Sequence, residues 1–313
     1  MQLIRGRQNI RPEHHGCVAT IGNFDGVHLG HTEIIKRLKK HAAALGLPSV
    51  VILFEPQPAE YFGRGRVPAR LSRFREKFRL IRERGVDRLL VLRFDQQLAA
   101  YSPQRFVEEF LVQRLGIKAL IIGDDFRFGS GRGGDFTLLH DLAERHGFSL
   151  EQTPPFLFIG KRISSTYVRY LLRHGYMGEA ERMLGHPYCI EGRVVEGHKQ
   201  GREWGFPTAN IDLHRMASPL AGIFAVRVHG LGDTPRIGVG YVGDRPIIDD
   251  PRYVLEVHIF DYDEDCYGRH ITVQFCDKIR DDIHFDSFAE MAEQIARDCA
   301  VARERLTFEY HGG

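Results

Sequence analysis

Two histidines and three glycines lie close together near the start of the chain, in the string G-N-F-D-G-V-H-L-G-H over residues 22–31. The string follows an apolar run and leads into a helical pattern, so the N–H groups and dipole of that helix favour a phosphate there. Glycine lets the backbone turn tightly beside a ligand, and His28 and His31 can both donate to phosphate oxygens. H-x-G-H alone is equally typical of an ordinary turn with solvated histidines; the full string favours phosphate binding.

Two further strings in the first half also suit an anionic ligand. G-D-D-F-R-F-G at 123–129 follows a predicted strand and leads into a loop rich in Gly and Arg that ends at Gly134. A carboxylate, an arginine and flexible backbone suit a loop that closes over a ligand. I-S-S-T at 163–166 precedes a helix that carries Arg169. Helix capping accounts for Ser165 or Thr166, whereas an arginine one turn into the helix is typical of a phosphate clamp.

The second half contains another glycine-rich segment, from Gly197 to Gly201, followed by Arg202. Such a segment beside a strand can bind phosphates through backbone N–H groups, although it does not match the Walker pattern. In the next string, P-T-A-N, Thr208 and Asn210 offer oxygen ligands on one side of an extended chain and could complete a magnesium shell with ATP phosphates. An ordinary turn explains P-T-A-N alone equally well.

Glu256 and His258 alternate with aliphatic residues in the run 254–260. Alternation places the three aliphatic residues on one face of a strand and the two polar residues on the other. If the aliphatic face is core, Glu256 is either a solvent-facing residue or a base that accepts the proton of an alcohol during phosphoryl transfer. The pattern does not decide between these two interpretations.

The elements that position the first group of strings follow an alternating pattern. Up to about Leu184, short apolar runs alternate with amphipathic stretches, which indicates parallel strands joined by helices. Strands are predicted at 17–21, 50–54, 89–92 and 120–122, and helices near 32–45, 72–84, 103–115, 136–146 and 165–174. We therefore expect a doubly wound α/β domain, whose ligands bind beyond the carboxyl ends of the strands.

From Tyr188 to Phe275 the pattern changes to alternating runs separated by Gly, Pro and Asp clusters. Runs at 190–195, 223–229, 254–260 and 270–275 predict an antiparallel barrel or sandwich, and 287–305 predicts one helix packed on it. The change of pattern places the boundary between Leu184 and Tyr188. The predicted domains are 1–185 and 186–313.

Composition limits the class of protein. The 313 residues suffice for two domains, and 43% hydrophobic with 27% charged residues is typical of a folded chain. The 43 Lys and Arg residues balance 41 Asp and Glu, so no strong field favours a nucleic acid or a membrane surface. The five cysteines are scattered without C-x-x-C spacing, which predicts reduced thiols in the cytoplasm. No apolar stretch has the length of a secretory leader or a membrane span.

Together these strings resemble the prokaryotic bifunctional riboflavin kinase/FMN adenylyltransferase family, often called FAD synthetase, over essentially the whole chain. The resemblance implies an α/β nucleotidylyltransferase-like domain with a doubly wound parallel sheet, followed by an antiparallel riboflavin kinase-like β-barrel with a C-terminal helix. It implies that the enzyme phosphorylates riboflavin to FMN and then adenylylates FMN to FAD. The substrates would be riboflavin, FMN and ATP, with Mg²⁺ as the metal.

The resemblance also implies roles for single residues. The catalytic group would be His28, His31, Asn23, Asp125, Arg169 and, as the kinase base, Glu256. The groups that bind ATP or its phosphates would be Gly22, Phe24, Gly30, Ser164, Thr166, Gly197, Gly201 and Arg202. The flavin would contact Phe126, Arg127, Phe128 and Arg280. The magnesium ligands would be Thr208 and Asn210.

Four positions depart from the family's usual pattern. Tyr241 and Ile247 replace an Asn and a Thr near the kinase motif, Trp204 replaces a Leu, and Gln57 replaces a His. One alternative is therefore an FMN adenylyltransferase whose barrel binds flavin with weakened or no kinase activity. A flavin-sensing binding protein without turnover is a second alternative. The sequence does not decide whether the protein self-associates, requires reduced flavin or passes FMN between its sites.

Overall fold

The computed structural model describes residues 1–63, 67–196, 206–213, 217–245 and 252–308. The chain forms two compact units. Unit 1 comprises Met1–Pro68 and Ser72–Ser164, and unit 2 comprises Ala69–Leu71 and Ser165–Gly313. The units divide after Ser164, while the sequence pattern changes about twenty residues later, and the domain ranges 1–185 and 186–313 stay a prediction.

Unit 1 is built on a six-stranded sheet with the order β1-β4-β3-β2-β5-β6, in which all neighbours are parallel. The central strands form because their apolar runs are buried on both faces. The strands are β1 Gln2–Arg5, β2 Cys17–Ile21, β3 Ser49–Glu55, β4 Arg88–Arg93, β5 Ile117–Gly123 and β6 Ser149–Thr153. The order reverses between β2 and β5, which makes their carboxyl ends the switch point where ligands bind in such sheets.

Helices cover both faces of this sheet, and the doubly wound prediction is confirmed. They are α1 Leu29–Leu45, α2 Pro58–Phe62, α3 Phe74–Glu83, α4 Gln96–Ala99, α5 Pro103–Arg105, a π-helix Phe106–Arg114 and α6 Phe136–His146. The apolar sides of α1 and α3 pack on one face, and those of the π-helix and α6 pack on the other. A small hairpin, β7 Leu157–Phe158 with β8 Lys161–Arg162, completes the unit.

Unit 2 contains a closed barrel with the strand order β10-β13-β12-β11-β14-β9 and antiparallel neighbours, which decides between the barrel and the sandwich. The strands are β9 Cys189–Val195, β10 Thr208–Ile211, β11 Gly222–His229, β12 Arg236–Arg245, β13 Arg252–Ile259 and β14 His270–Arg280. Alternate residues such as Phe224, Leu255 and Val273 are fully buried. They fill the interior, as in other small barrels.

The described residues of unit 2 also form three helices: α7 Ser165–Arg173, α8 Met177–Leu184 and α9 Phe288–Phe308. The helix predicted at 287–305 is therefore present, as α9. Its residues Ala302 and Leu306 pack on Ile223, Ala225 and Val239, which lie on the outer face of the barrel. Every helix in the part of the chain that the structure describes is too short or too polar to span a membrane.

Candidate active sites

The predicted phosphate loop connects β2 to α1, at the switch point of the sheet. His28 is the N-cap of α1, and its Nδ1 accepts a hydrogen bond of 3.3 Å from the backbone N–H of His31. Phe24 and Val27 have left-handed φ angles of 46° and 44°, and both side chains are buried. Non-glycine residues adopt this conformation only when their surroundings impose it, which is typical of functional loops.

The rings of His28 and His31 are stacked with centroids 3.7 Å apart, and Phe24 lies 4.8 Å from His31. Burial, helped by His28 and by the nearby Lys77 and Arg84, holds the pKa of His31 well below its usual value, so the ring is neutral at pH 7. The Nδ1 atom of His31 is buried and has no hydrogen-bond partner among the described residues.

Helix α3 places two cations beneath this loop. The buried Lys77 donates from Nζ to the backbone oxygen of Asn23 at 2.6 Å. Arg84, just past the helix end, donates to the oxygen of Val27 at 3.1 Å and to Thr32 Oγ1 at 2.8 Å, and burial lowers its pKa. Neither Lys77 nor Arg84 was predicted from the sequence. The available signal was their spacing, because residues 77, 80, 81 and 84 share one face of a helix and two of them, Leu80 and Ile81, are apolar.

Asp25, the acidic residue of the loop, has a structural role. Its Oδ1 accepts from the backbone N–H of Ser72 at 3.0 Å and lies 3.4 Å from the Ser72 hydroxyl. The same hydroxyl oxygen accepts from the N–H of Gly26 at 2.9 Å. Asp25 and Ser72 therefore fasten the loop to the segment that leads into α3.

The second predicted loop follows β5, on the other side of the switch point. Asp125 is exposed, with its carboxylate 3.8 Å from Arg162. The rings of Phe126 and Phe128 are stacked with centroids 5.6 Å apart, and Phe128 is buried. Arg127 lies 3.3 Å from Asp135 in an exposed ion pair. This loop therefore presents an exposed carboxylate beside a pair of parallel rings.

An aromatic cluster at the carboxyl ends of β3 and β4 was missed by the sequence reasoning. Tyr61 and Phe62 are 41% and 61% exposed, and both rings pack edge-on against Phe94, with centroids 5.3 and 5.7 Å away. Phe94 in turn contacts Phe54 edge-on at 5.7 Å. Exposed aromatic rings of this size suit a flat apolar ligand. The signal was a phenylalanine at or next to the end of two neighbouring strands.

The third predicted motif divides between the units. Ser164 is the last residue of the second segment of unit 1, and Thr166 and Arg169 lie on α7 in unit 2. Within unit 2, Nε of Arg169 donates to the backbone oxygen of Ala69 at 2.6 Å. The guanidinium thus holds the short segment 69–71 against α7.

In unit 2 the barrel brings the predicted kinase residues together. Antiparallel pairing sets Asn210 opposite Glu256 and Thr208 opposite His258, and Tyr241 flanks Glu256 on its other side. The alternate residues Ala209 and Leu255 are buried in the barrel, so these polar residues share the outer face. Directly paired side chains have Cβ atoms about 4.5–5.5 Å apart. Three oxygen-bearing side chains therefore lie in one row across β10, β13 and β12.

Neighbouring contacts hold this row in place. His258 Nδ1 lies 2.9 Å from the backbone oxygen of Pro207, which fixes the chain just before Thr208. The hydroxyl of Tyr241 donates to Asp282 Oδ2 at 2.9 Å. These contacts link the outer face of the barrel to the segment after β14.

The predicted flavin residue Arg280 is engaged within unit 2. Its guanidinium makes a bidentate pair with the buried Asp298 of α9, at 3.0 and 2.8 Å, and Gln294 also donates to that carboxylate at 2.9 Å. This pair anchors α9 to the end of β14. Gly197, Gly201, Arg202, Trp204 and Ile247 lie outside the described residues.

Comparison with known proteins assigns the two halves. The family model described as FAD synthetase matches residues 10–167, and the one described as riboflavin kinase matches residues 184–306. The bifunctional riboflavin kinase/FMN adenylyltransferase of Escherichia coli strain K12 is 49% identical over 97% of both chains. The chain belongs to this bifunctional family. The Haemophilus influenzae member is 45% identical over an aligned region that spans 97% of this chain and 98% of the Haemophilus chain.

Members of this family phosphorylate riboflavin to FMN and adenylylate FMN to FAD, and both activities are assigned to the chain. A solved structure described as a macrolide-efflux protein from Streptococcus pneumoniae is also similar, with a TM-score of 0.82 and 29% identity over 97% of this chain and 99% of that one. That description concerns the other protein. Two of the residues that differ from the family's usual pattern are described in the structure. Tyr241 lies beside Glu256 on the neighbouring strand, and Gln57 is a buried residue at the start of α2.

Proposed function

We propose that unit 1 transfers AMP to FMN at the loop between β2 and α1. An oxygen of the FMN phosphate attacks the α-phosphorus of ATP, the bond to the bridging oxygen breaks, and pyrophosphate leaves. This reaction requires positioning and charge neutralisation rather than a protein nucleophile. The stacked pair of His28, which is buried, and His31 at the start of α1 supports this role, because imidazole N–H groups and helix N–H groups donate to phosphate oxygens.

The remaining N-terminal residues take supporting roles in this proposal. Gly22, Phe24 and Gly30 shape the loop, and Asn23 has its backbone held by Lys77. Asp125 stands beside the reacting groups, while Ser164, Thr166 and Arg169 bind ATP phosphates. These assignments rest on the family's motifs.

The flavin ring of FMN binds two groups of aromatic residues of unit 1 in this proposal. Tyr61, Phe62 and Phe94 form one apolar surface, and Phe126 and Phe128 with Arg127 form a second. Both surfaces follow carboxyl ends of strands, where a doubly wound sheet binds ligands. A planar isoalloxazine gains stacking and apolar burial from such rings.

We further propose that unit 2 phosphorylates riboflavin on the outer face of the barrel. The 5′-hydroxyl of riboflavin attacks the γ-phosphorus of ATP, ADP leaves, and Glu256 accepts the hydroxyl proton. The observation that carries this assignment is the register that sets Glu256 directly opposite Asn210, with Thr208 two residues away on the same face. Gly197, Gly201 and Arg202 bind ATP phosphates in this proposal.

The residues present fit a magnesium ion. Thr208 and Asn210 carry uncharged oxygens on one face of β10, and Mg²⁺ prefers oxygen ligands completed by phosphates and water. The described residues contain no cluster of three His, Cys, Asp or Glu side chains that could hold a metal. Thr208 and Asn210 would therefore hold the ion together with ATP. When bound, it neutralises charge on the transferring phosphoryl group.

Two variants of unit 2 test these roles against each other. Glu256→Gln keeps the shape of the side chain and removes its basicity, so riboflavin phosphorylation should fall by ~10²–10⁴-fold at any magnesium concentration. Thr208→Val should raise the magnesium and ATP requirement, and added magnesium should partly restore its rate. Adenylylation of supplied FMN is the internal control for both. Near-normal FMN production by Glu256→Gln would favour the alternative in which Glu256 is a solvated strand residue.

The cellular setting is part of the proposal. All five cysteines are free thiols, which supports a reducing compartment, and we place the enzyme in the cytoplasm. Its partners are riboflavin, FMN and ATP. The balanced charge of 43 basic and 41 acidic residues supports the absence of a nucleic-acid partner.

A further inference from the structure

A cavity of about 230 Å³ lies beside the outer strands of the unit 1 sheet. Gly6 follows β1 and Arg93 ends β4, and these two strands are neighbours. The cavity is therefore at the carboxyl edge of the parallel sheet, where doubly wound proteins bind ligands. It lies over β1 and β4 rather than over β2 and β5, and none of its lining residues belongs to the proposed adenylylation site.

Three arginines line this cavity: Arg7, Arg93 and Arg114. None of them forms an ion pair with a carboxylate in the part of the chain that the structure describes. The two carboxylates of the lining are already engaged, because Asp95 accepts from the Leu98 N–H at 2.9 Å as the cap of α4 and Glu109 pairs with Arg105 at 2.8 Å. The cavity thus offers unneutralised guanidinium groups, which suit an oxyanion.

The floor of the cavity is apolar, and one wall is irregular. The buried side chains of Leu92, Leu98, Tyr101 and Phe110 line it. The wall that carries Phe110 and Arg114 is the π-helix Phe106–Arg114. Helical segments of this kind are rare and frequently lie at functional sites. A cationic rim above an apolar floor matches a ligand that carries both an anionic group and an apolar body.

We propose that this arginine cavity binds a small organic anion, with its oxyanion group on Arg93 and Arg114 and its apolar body against Leu98 and Phe110. The volume is below the ~300–1,000 Å³ of pockets that hold drug-sized ligands. The ligand is therefore smaller than FMN or ATP, and the site is distinct from those of both reactions.

Phenyl phosphate is a suitable probe because it joins a phosphate to a single ring. Its binding to the full chain is measured by titration calorimetry with saturating FMN present, beside inorganic phosphate and phenol. The test variant is Arg93→Gln with Arg114→Gln. The matched control is Arg75→Gln with Arg145→Gln, which removes two exposed arginines of unit 1 elsewhere. A third variant, Leu98→Phe, fills the floor and keeps the charges.

The wild-type protein and the control variant should bind phenyl phosphate with equal affinity. Both should bind it more tightly than they bind inorganic phosphate or phenol. The Arg93/Arg114 variant should bind it at least about tenfold more weakly, with both enzymatic rates unchanged. Leu98→Phe should weaken the binding of phenyl phosphate and leave the binding of inorganic phosphate unchanged. The proposal is overturned if wild type does not bind phenyl phosphate, if the Arg93/Arg114 variant binds it as wild type does, or if the control loses as much affinity as the test variant.

Discussion

Replacing Lys77 with Met tests whether α3 positions the adenylylation loop. Lys77 is 1% exposed and donates to the backbone oxygen of Asn23 at 2.6 Å. A hydrogen bond with a charged donor contributes about 1.5–3 kcal/mol, and each 1.36 kcal/mol lost from transition-state stabilisation is a tenfold change in rate. If the bond serves to hold the loop for reaction, FAD formation from FMN should fall by roughly 10- to 100-fold. Met keeps most of the buried side-chain volume, which limits the loss of packing.

The assay is the conversion of FMN to FAD with ATP and magnesium, followed by chromatography, with riboflavin phosphorylation measured on the same samples. Lys39→Met is the matched control, because Lys39 also donates to a backbone oxygen, that of Arg84 at 2.9 Å, but on the exposed surface. It should change the rate by about twofold or less. A Lys77→Met enzyme that makes FAD at the wild-type rate would refute the positioning role. Equal loss of both activities would instead indicate general unfolding.

Three further outcomes are expected. The fold lowers the pKa of His31, whereas in the unfolded chain this pKa has its ordinary value of ~6.5, so below that pH the unfolded protein binds one more proton than the folded protein. The free energy of unfolding should therefore fall as the pH drops from 7.5 to 5.5. In urea titrations, His31→Gln should reduce this pH dependence. Arg280→Met leaves Asp298 buried without its partner and should destabilise unit 2 by about 3–5 kcal/mol. A raised KM for riboflavin with unchanged stability would instead indicate that Arg280 binds the flavin and does not stabilise the fold. Tyr241→Phe removes the bond to Asp282 and should change riboflavin phosphorylation by less than about tenfold, with FAD formation from FMN unchanged; a larger loss would make the phenol part of the kinase site.

The central strands of unit 1 could be predicted because a strand buried on both faces is a continuous apolar run, as in Cys17–Ile21. The edge strands Gln2–Arg5 and Ser149–Thr153 were missed since each is short, partly exposed and polar. Strand β12 was missed for another reason. Gly238 interrupts its alternating pattern, and the structure requires glycine there because a Cβ atom would lie 2.4 Å from the oxygen of His258.

The sites show the same limit. His28 and His31 could be predicted because their string is local, and Asn210 and Glu256 because each belongs to a recognisable motif. That Asn210 pairs with Glu256 is a matter of strand register across the barrel, which no local pattern contains. Lys77 and the arginine cavity were missed because charged residues in sequence are normally solvent-exposed. The burial of Lys77 depends on how α3 packs, and the grouping of the arginines depends on how the outer strands pack.

The most direct test of the two-site account follows riboflavin, FMN and FAD over time in two variants of the full chain, each supplied with ATP and magnesium. The His28→Ala/His31→Ala enzyme should convert riboflavin to FMN at the wild-type rate and stop there, with FAD formation reduced by ~10²–10³-fold or more. The Glu256→Gln enzyme should leave riboflavin unconverted and still turn supplied FMN into FAD. Wild-type FAD formation by the histidine variant, or loss of both reactions in either variant, would contradict the account.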